Sequence, residues 1–244
     1  MSLLSCENLV LGYASRSKNG SELVRAFDFN LEAGEVVALM GANGSGKSTF
    51  LKTLSGLVLP LSGNVSLCGK ARWASRERAR LVALVRMGRM NGVFFDRMSV
   101  REFVGLGRTP YAGVFDGHSS EDECIVDEAL ELLDLKNFAS RWMSELSDGE
   151  CSRVYLAMAV AQQVKVLLLD EPNAFLDIPR SRKLFVMLQM LARERGMGIL
   201  VSTHSVEYAE QYCDRIVVFE KGCARCEAAG DARAKGLLDW TEKF

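Results

Sequence analysis

The sequence lacks an excess of charge of either sign, a regular cysteine pattern and any long apolar run. Its 30 lysine and arginine residues nearly balance 31 aspartate and glutamate residues, for a formal net charge of −1. Such a chain has no general electrostatic attraction for nucleic acid. The 7 cysteines are odd in number and irregularly spaced, which argues against a disulfide framework and favours a reducing compartment. No apolar run approaches the ~20 residues that span a bilayer, so a function at a membrane requires another chain.

Two further motifs are incomplete or missing. Cys223 and Cys226 form a lone C-x-x-C, but a zinc site needs a second ligand pair and no histidine lies nearby in the sequence. We therefore predict neither a metal site nor a redox site there. No Asn-Lys-x-Asp motif is present to read guanine, which argues against a GTPase.

The sequence does contain strands that alternate with helices. Residues 4–10 and 23–31 predict an antiparallel hairpin at the edge of the fold, because apolar and polar residues alternate in the second segment. The apolar segments 35–40, 164–169 and 198–203 are typical of buried strands in a parallel sheet. Strands joined by crossover helices predict an α/β fold.

The middle of the chain is predicted to be mostly helical. Ser99-x-x-Glu102 and Ser120-x-x-Glu123 each fit the pattern in which a serine and a glutamate cap the start of a helix. We interpret the chain as a single domain, residues 1–244, in which a helical subdomain of residues 88–160 is inserted into a core of residues 1–87 and 161–244.

A glycine-rich segment after the strand 35–40 matches the phosphate-binding pattern G-x-x-x-x-G-K-[ST]. Gly44 and Gly46 let the backbone curl so that successive amides point at phosphate oxygens. Lys47 is expected to reach the β- and γ-phosphates, and the Ser48 hydroxyl to bind Mg²⁺. The predicted nucleotide-binding residues are Gly41, Ala42, Asn43, Gly44, Ser45, Gly46, Lys47, Ser48 and Thr49. The helix that follows is predicted to bury one face formed by Phe50, Leu51, Leu54 and Leu57.

Two carboxylates follow the apolar strand 164–169. Asp170 is expected to hold Mg²⁺, directly or through water, and Glu171 to polarise the attacking water. His204 follows the strand 198–203, at the strand end where open α/β sheets bind ligands, and is a candidate for contact with the γ-phosphate. A lone histidine is otherwise usually structural or exposed.

The segment Leu146–Glu150 supports two interpretations. Ser147 and Glu150 can cap a helix, and structure alone would explain them. The same helix start, with Gly149 in it, is also suited to bind an anion. A second phosphate-ready helix start in one chain suggests that ATP binds between two copies.

Together these motifs resemble those of the ATP-binding-cassette ATPases along nearly the whole chain. Gly41–Thr49 is similar to their Walker A motif, Leu146–Glu150 to their signature motif LSGGQ, and Val166–Glu171 to their Walker B motif. Ala174–Asp177 resembles the D-loop. In the same comparison His204 matches the switch histidine, Arg153 the arginine that often follows the signature, and Tyr13 the aromatic residue that stacks on adenine.

The resemblance implies a P-loop NTPase core with a mixed or parallel sheet, an antiparallel β edge and an inserted helical subdomain. It implies ATP and Mg²⁺ as cofactors, with Glu171, His204 and Lys47 in catalysis and Ser48 and Asp170 at the metal. The partner copy would present Ser147, Asp148, Gly149 and Glu150 to the nucleotide in a head-to-tail dimer.

A shorter segment, Met98–Tyr111, is similar to the region after the Q-loop in importers of iron-siderophores, haem and cobalamin. This resemblance implies transmembrane permease subunits as partners, an extracytoplasmic binding protein reached through the permease, and a location on the inner face of the membrane. Nucleic acid is not expected as a partner. The alternatives are a non-transport cassette ATPase of repair or translation, and a regulator that hydrolyses nucleotide poorly.

The chain departs from the family pattern in two places. The family's Q-loop glutamine aligns with Met87, and the first glutamine in the chain is Gln162. A thioether is a poor ligand for a hard cation, and Asn91 is the candidate substitute. In the signature, Asp148 replaces a glycine and Glu150 a glutamine. Asp148 would weaken dimer closure if it faced the phosphate, and would have little effect if it pointed to solvent.

Overall fold

The computed structural model describes residues 2–13, 21–86, 97–112, 119–174 and 176–239. The strands are β1 (Ser2–Tyr13), β2 (Ser21–Glu32), β3 (Val36–Gly41), β4 (Ser62–Leu67), β5 (Val82–Arg86), β6 (Val166–Asp170), β7 (Gly198–Ser202), β8 (Arg215–Glu220) and β9 (Cys223–Ala228). The α-helices are α1 (Lys47–Ser55), α2 (Ser75–Ala79), α3 (Val100–Gly105), α4 (Ser120–Leu132), α5 (Asp148–Ala161), α6 (Ile178–Arg195) and α7 (Val206–Tyr212). The described strands form two sheets, a three-stranded sheet of order β2-β1-β4 and a six-stranded sheet of order β5-β6-β7-β3-β8-β9.

The smaller sheet contains the predicted hairpin. β1 and β2 pair antiparallel from Ser2 opposite Glu32 to Tyr13 opposite Ser21, and β4 pairs antiparallel with the other edge of β1. The predicted antiparallel edge is therefore confirmed. Tyr13 lies at the end of this hairpin that faces the site described below.

The larger sheet has a parallel centre. β5, β6, β7, β3 and β8 are parallel neighbours, and β9 pairs antiparallel with β8. Every residue of β3, β6 and β7 is buried. On β3, Val36, Ala38 and Met40 pack on one side of the sheet, and Val37 and Leu39 on the other. Both faces are covered, which is why these strands are apolar throughout rather than alternating.

Helix α1 lies against the side of the larger sheet that also packs on the smaller sheet. Its Phe50 is fully buried, and its ring meets Phe27 edge-on at 5.3 Å and Phe29 at 5.6 Å between centroids. Burial of a phenylalanine side chain contributes roughly 2–3 kcal/mol. This packing holds the first turn of α1 at the carboxyl end of β3.

Two details of the predicted helices are wrong. Leu57 is not on the buried face of α1 but is 72% exposed, because the helix ends at Ser55 and Gly56 turns the chain with φ 83°. The cap predicted at Ser120 lies one residue earlier, where the Ser119 hydroxyl accepts from the Asp122 amide. The caps predicted at Ser99 and Ser147 are confirmed.

Helices α3, α4 and α5 pack together on the other side of the larger sheet, for example through Phe103 and Tyr155, whose rings meet edge-on at 5.3 Å. Residues 88–96 lie outside the described residues, and the boundaries 88–160 of the helical subdomain stay a prediction. Among the described helices, none combines the length and the apolar character needed to cross a bilayer.

Candidate functional site

The glycine-rich loop joins the carboxyl end of β3 to the first turn of α1. Gly41 has φ 139°, and a Cβ there would lie 2.4 Å from the Phe219 carbonyl oxygen. Gly46 caps α1 with φ 110°, and a Cβ there would meet Val24 at 3.0 Å. Only glycine fits both positions, so the sequence fixes the curl of the loop. The buried hydroxyl of Ser45 has no hydrogen-bond partner among the described residues, which fits a loop that binds an anion.

Lys47 is the first residue of α1 and is only 5% exposed. Its Nζ donates to the carbonyls of Gly41 at 2.7 Å and Ala42 at 3.2 Å. Burial lowers the pKa of the Lys47 ammonium, and the carboxylates of Glu171 and Asp170 act against that shift. The ammonium therefore lies inside the loop, where a phosphate chain would lie.

Asp170, at the end of β6, accepts hydrogen bonds from two hydroxyls, one at the start of α1 and one at the end of β7. Ser48 Oγ donates to Asp170 Oδ1 at 3.1 Å, and Ser202 Oγ donates to the same oxygen at 3.0 Å. A serine hydroxyl beside a buried carboxylate is an all-oxygen donor set, which suits Mg²⁺. The pair predicted to hold the metal is thus adjacent in space, although 122 positions separate the two residues.

Glu171 and His204 form a second pair next to Asp170. His204 Nε2 lies 3.1 Å from Glu171 Oε1, and both side chains are nearly half exposed. Glu171 has φ 51°, in the left-handed region that a non-glycine residue seldom adopts. Its amide donates to Ser202 Oγ at 2.8 Å. This geometry turns the carboxylate away from the strand direction and towards the open cleft.

The loop, the first turn of α1 and Glu171 line an open cleft of about 540 Å³, called here the Lys47 cleft. Its lining residues are Tyr13, Leu23, Asn43, Gly44, Gly46, Lys47, Ser48, Thr49 and Glu171. Tyr13 is 48% exposed, and its hydroxyl is hydrogen-bonded to Thr49 Oγ1 at 3.0 Å. An exposed aromatic ring at the rim is placed to contact a base.

The residues predicted as a second phosphate-binding helix start lie at the first turn of α5. Ser147 caps the helix: its amide and hydroxyl both donate to Glu150 Oε2 at 2.7 Å. Both hydrogen bonds lower the pKa of the Glu150 carboxyl, and the bond from the amide has the larger effect. Asp148 is exposed, and a Cβ on Gly149 would meet Arg180 at 3.0 Å.

This helix start lines a second cleft of about 400 Å³, the Ser147 cleft. Its lining includes Ser147, Gly149, Glu150, Arg153, Leu176 and Arg180, and it shares no residue with the Lys47 cleft. Within one copy, the predicted residues therefore form two separate groups. One group lies in and beside the Lys47 cleft, and the other lies in the Ser147 cleft.

Sequence reasoning missed Ser202 and the bond between Thr203 Oγ1 and Asn173 Oδ1 at 3.2 Å. The signal for Ser202 was its polar side chain in a strand otherwise made of apolar residues. Met87 and Asn91, named for the missing glutamine, lie outside the described residues.

The match to known families decides the membership of the chain. A family model described as ABC transporter matches residues 24–174, which is more than half of the chain. The chain belongs to the ABC transporter family. The predicted family and the predicted α/β P-loop fold of this ABC domain are confirmed.

Curated relatives of the ABC domain are similar over most of its length. The hemin import ATP-binding protein HmuV of Nocardia farcinica is 35% identical over 233 residues, 95% of this chain and 78% of the relative. The uncharacterized ABC transporter ATP-binding protein YvrA of Bacillus subtilis is 36% identical over 224 residues, 91% of this chain. The chain spans about half, 49%, of the length of this second relative.

The ABC fold is also that of a solved structure, the ATP-binding cassette MJ0796 in a dimeric post-hydrolysis state bound to ADP and Pi. That structure is 25% identical, with a TM-score of 0.77, over 93% of this chain and 98% of its own.

Proposed function

We propose that the chain is the ATP-binding and ATP-hydrolysing subunit of an ABC transporter that works with transmembrane permease subunits. The observation that carries the proposal is the contact between Ser48 of the glycine-rich loop and Asp170 of β6, at 3.1 Å. It supports the proposal because a hydroxyl and a carboxylate that would hold Mg²⁺ are adjacent beside Glu171, whose carboxylate lies 3.1 Å from His204. Membership of the ABC transporter family supports the same proposal.

The candidate catalytic and metal-binding residues in and beside the Lys47 cleft have distinct tasks in ATP hydrolysis. The loop amides and Lys47 bind and neutralise the phosphate chain, which is the main contribution in phosphoryl transfer. Ser48 and Asp170 would hold Mg²⁺, which when bound offsets charge on the phosphates. Glu171 accepts a hydrogen bond from the attacking water and orients it. His204 Nε2 supports the Glu171 carboxylate and lies where it can contact the γ-phosphate.

Two copies complete the site. Because the Ser147 cleft is separate from the Lys47 cleft on one chain, a head-to-tail dimer would cover the nucleotide in each Lys47 cleft with Ser147, Asp148, Gly149 and Glu150 of the other copy. The γ-phosphate bridges the copies, so its loss on hydrolysis reopens the dimer. The similar MJ0796 structure is a dimer with ADP and Pi.

The transported molecule is proposed to be an iron-siderophore, haem or cobalamin-like compound that is imported. The support is the resemblance of the segment Met98–Tyr111 to importers of iron-siderophores, haem and cobalamin, and the hemin import role in the name of one relative. We propose that the helical subdomain 88–160 docks on the permease from the cytoplasmic side. An extracytoplasmic binding protein would deliver the compound to the permease.

The test is Mg²⁺-dependent ATP binding and phosphate release by the purified protein, compared with Lys47→Ala. We expect Lys47→Ala to lower turnover by about 100-fold or more, because it removes one preorganised charge at the phosphates. Lys52→Ala, on the same helix but outside the cleft, is the matched control and should be nearly normal. A protein with no affinity for Mg·ATP, or a Lys47→Ala variant with normal turnover, would refute the proposal.

A further inference from the structure

Ser202 is the last residue of β7 and is completely buried. The four residues before it in the strand are glycine or aliphatic, and no part of its side chain reaches the Lys47 cleft surface. Its hydroxyl nevertheless makes two hydrogen bonds, one with Asp170 Oδ1 at 3.0 Å and one with the amide of Glu171 at 2.8 Å. A buried hydroxyl thus contacts both of the adjacent acidic residues of the site.

The direction of both hydrogen bonds is fixed by the chemistry of the three groups. The Glu171 amide can only donate, so Ser202 Oγ accepts there. The single proton of the hydroxyl is then free to go to Asp170, whose ionised carboxylate can only accept. The hydroxyl thus both donates and accepts a hydrogen bond. It does so in a buried location, where a polar group without a hydrogen bond is costly.

The contact between Ser202 and Glu171 matters because the backbone of Glu171 has an unusual conformation. A φ of 51° places Glu171 in the left-handed region, which is unfavourable for a residue with a side chain. Such a conformation persists only where neighbouring contacts determine it. The hydrogen bond from the Glu171 amide to Ser202 is one such contact, and it acts at the residue where the chain turns and the carboxylate is aimed at His204.

We propose that Ser202 is a positioning residue for ATP hydrolysis, which orients the metal-binding carboxylate of Asp170 and the backbone of Glu171 through one hydroxyl. Ser202 touches neither nucleotide nor metal and acts only through these two neighbours. The inference rests on the proposed ATPase function and names a residue that sets the relation between its metal site and its water-orienting carboxylate.

The test compares ATP affinity with and without Mg²⁺ in the wild-type protein and in Ser202→Ala. We expect the affinity without Mg²⁺ to stay within about twofold, because the loop and Lys47 are unchanged. We expect the gain in affinity on adding Mg²⁺ to shrink by about tenfold, the order of effect of a hydrogen bond to a charged group. In the nucleotide-free protein, the Glu171 amide should exchange its hydrogen with solvent several-fold faster.

Three further variants separate positioning from general stability. Ser202→Thr keeps the hydroxyl and should restore the Mg²⁺ dependence. Ser202→Cys has a similar shape but a weak hydrogen-bonding group, and it replaces the alanine variant if that one fails to fold. Thr53→Val removes another buried hydroxyl, which has no partner among the described residues, and should leave both affinities unchanged.

An unchanged Mg²⁺ dependence in Ser202→Ala or Ser202→Cys would overturn the inference while leaving the ATPase proposal intact. Equal losses of affinity with and without Mg²⁺ would overturn it as well, because they indicate a loosened fold. A wild-type protein without Mg²⁺-dependent ATP binding would instead refute the proposed function itself.

Discussion

Tyr13 meets the glycine-rich loop through its hydroxyl, which is bonded to Thr49 at 3.0 Å. The ring is half exposed at the rim of the Lys47 cleft and is the group that would stack on adenine. Hydroxyl and ring can therefore be tested separately. The hydroxyl bond is part-exposed and is worth little, whereas a stacked base is worth about 1–3 kcal/mol.

We expect Tyr13→Phe to bind Mg·ATP within about threefold of the wild-type affinity and Tyr13→Ala to bind about tenfold more weakly. Equilibrium titration with a fluorescent ATP analogue measures both. Equal weakening in the two variants would show that the hydroxyl, not the ring, contributes the affinity.

Among single residues, those that belong to a recognisable motif could be predicted from the sequence. Lys47, Ser48, Asp170 and Glu171 lie together as the spacing of their motifs suggested, because the carboxyl ends of parallel strands meet at one edge of the sheet. No motif linked Ser202 to its partners Glu171 and Asp170, which lie 31 and 32 positions away. Its contact depends on which strands are neighbours.

Among the elements, the start of α4 is fixed to the end of α5 by one buried ion pair. Arg108 Nε donates to Asp122 Oδ1 at 2.7 Å, and Arg108 Nη1 donates to the Ala161 carbonyl at 2.7 Å. Both charged residues are less than a tenth exposed. The guanidinium also lies 3.9 Å from the Tyr111 ring centroid. The hydrogen bond from Arg108, and after it the one from the Ser119 hydroxyl, lower the pKa of the Asp122 carboxyl to about 2.

We expect Arg108→Met to lower the free energy of unfolding at pH 7 by about 3 kcal/mol, because it leaves a buried carboxylate unpaired. The folded pKa of Asp122 is depressed, so the stability from the pair is complete above about pH 4 and is lost as the pH falls through 2. The difference between variant and wild type should therefore shrink in that range.

Urea unfolding at several pH values measures this difference. Arg101→Met is the matched control, since its partners Glu123 and Asp127 are exposed and its loss should stay below about 1 kcal/mol. Similar losses in the two variants would contradict the expected role of burial.

At the start of helix α5, one residue is expected to affect stability and dimerisation in opposite directions. Asp148 is its first residue, where a carboxylate stabilises the helix by about 0.5 kcal/mol. We expect Asp148→Gly to lower stability by about 1 kcal/mol but to strengthen ATP-dependent dimerisation several-fold. The reason is that, in the proposed dimer, it removes a negative charge next to the phosphates of the nucleotide bound by the other copy.

Thermal unfolding and light scattering with Mg·ATP measure the two effects of Asp148→Gly. Asp148→Asn removes the charge and keeps the size, and it should also strengthen the dimer. Dimerisation unchanged in both variants would mean that the side chain points away from the nucleotide.

Prediction of elements succeeded where both faces of a strand are buried, because β3, β6 and β7 are then continuous apolar runs. It missed β9, whose exposed and half-buried residues alternate irregularly at the sheet edge. Cys223 and Cys226 both lie on this strand. They are three positions apart on an extended strand, so their side chains point to opposite faces.

For the whole molecule, the Glu171→Gln variant tests the link between hydrolysis and assembly. We expect turnover to fall by about 100-fold or more, because the amide cannot accept a proton from water. The protein should remain a dimer as long as Mg·ATP is present, since the γ-phosphate, which is proposed to bridge the copies, is retained. Light scattering during incubation with Mg·ATP measures this.

Glu194→Gln, an exposed substitution on α6, is the control for Glu171→Gln and should cycle normally between monomer and dimer. Undiminished turnover in Glu171→Gln would refute the assigned role of Glu171.

The separation of the Lys47 cleft from the Ser147 cleft permits complementation between two inactive chains. If one chain is damaged at Lys47 and the other at Ser147, the proposed head-to-tail arrangement places both lesions of a mixed dimer in the same composite site. The opposite site then combines an undamaged half from each chain and is complete. Two inactive variants can in this way form a mixed dimer with one active site. An enzyme whose site is contained within one chain cannot show this complementation.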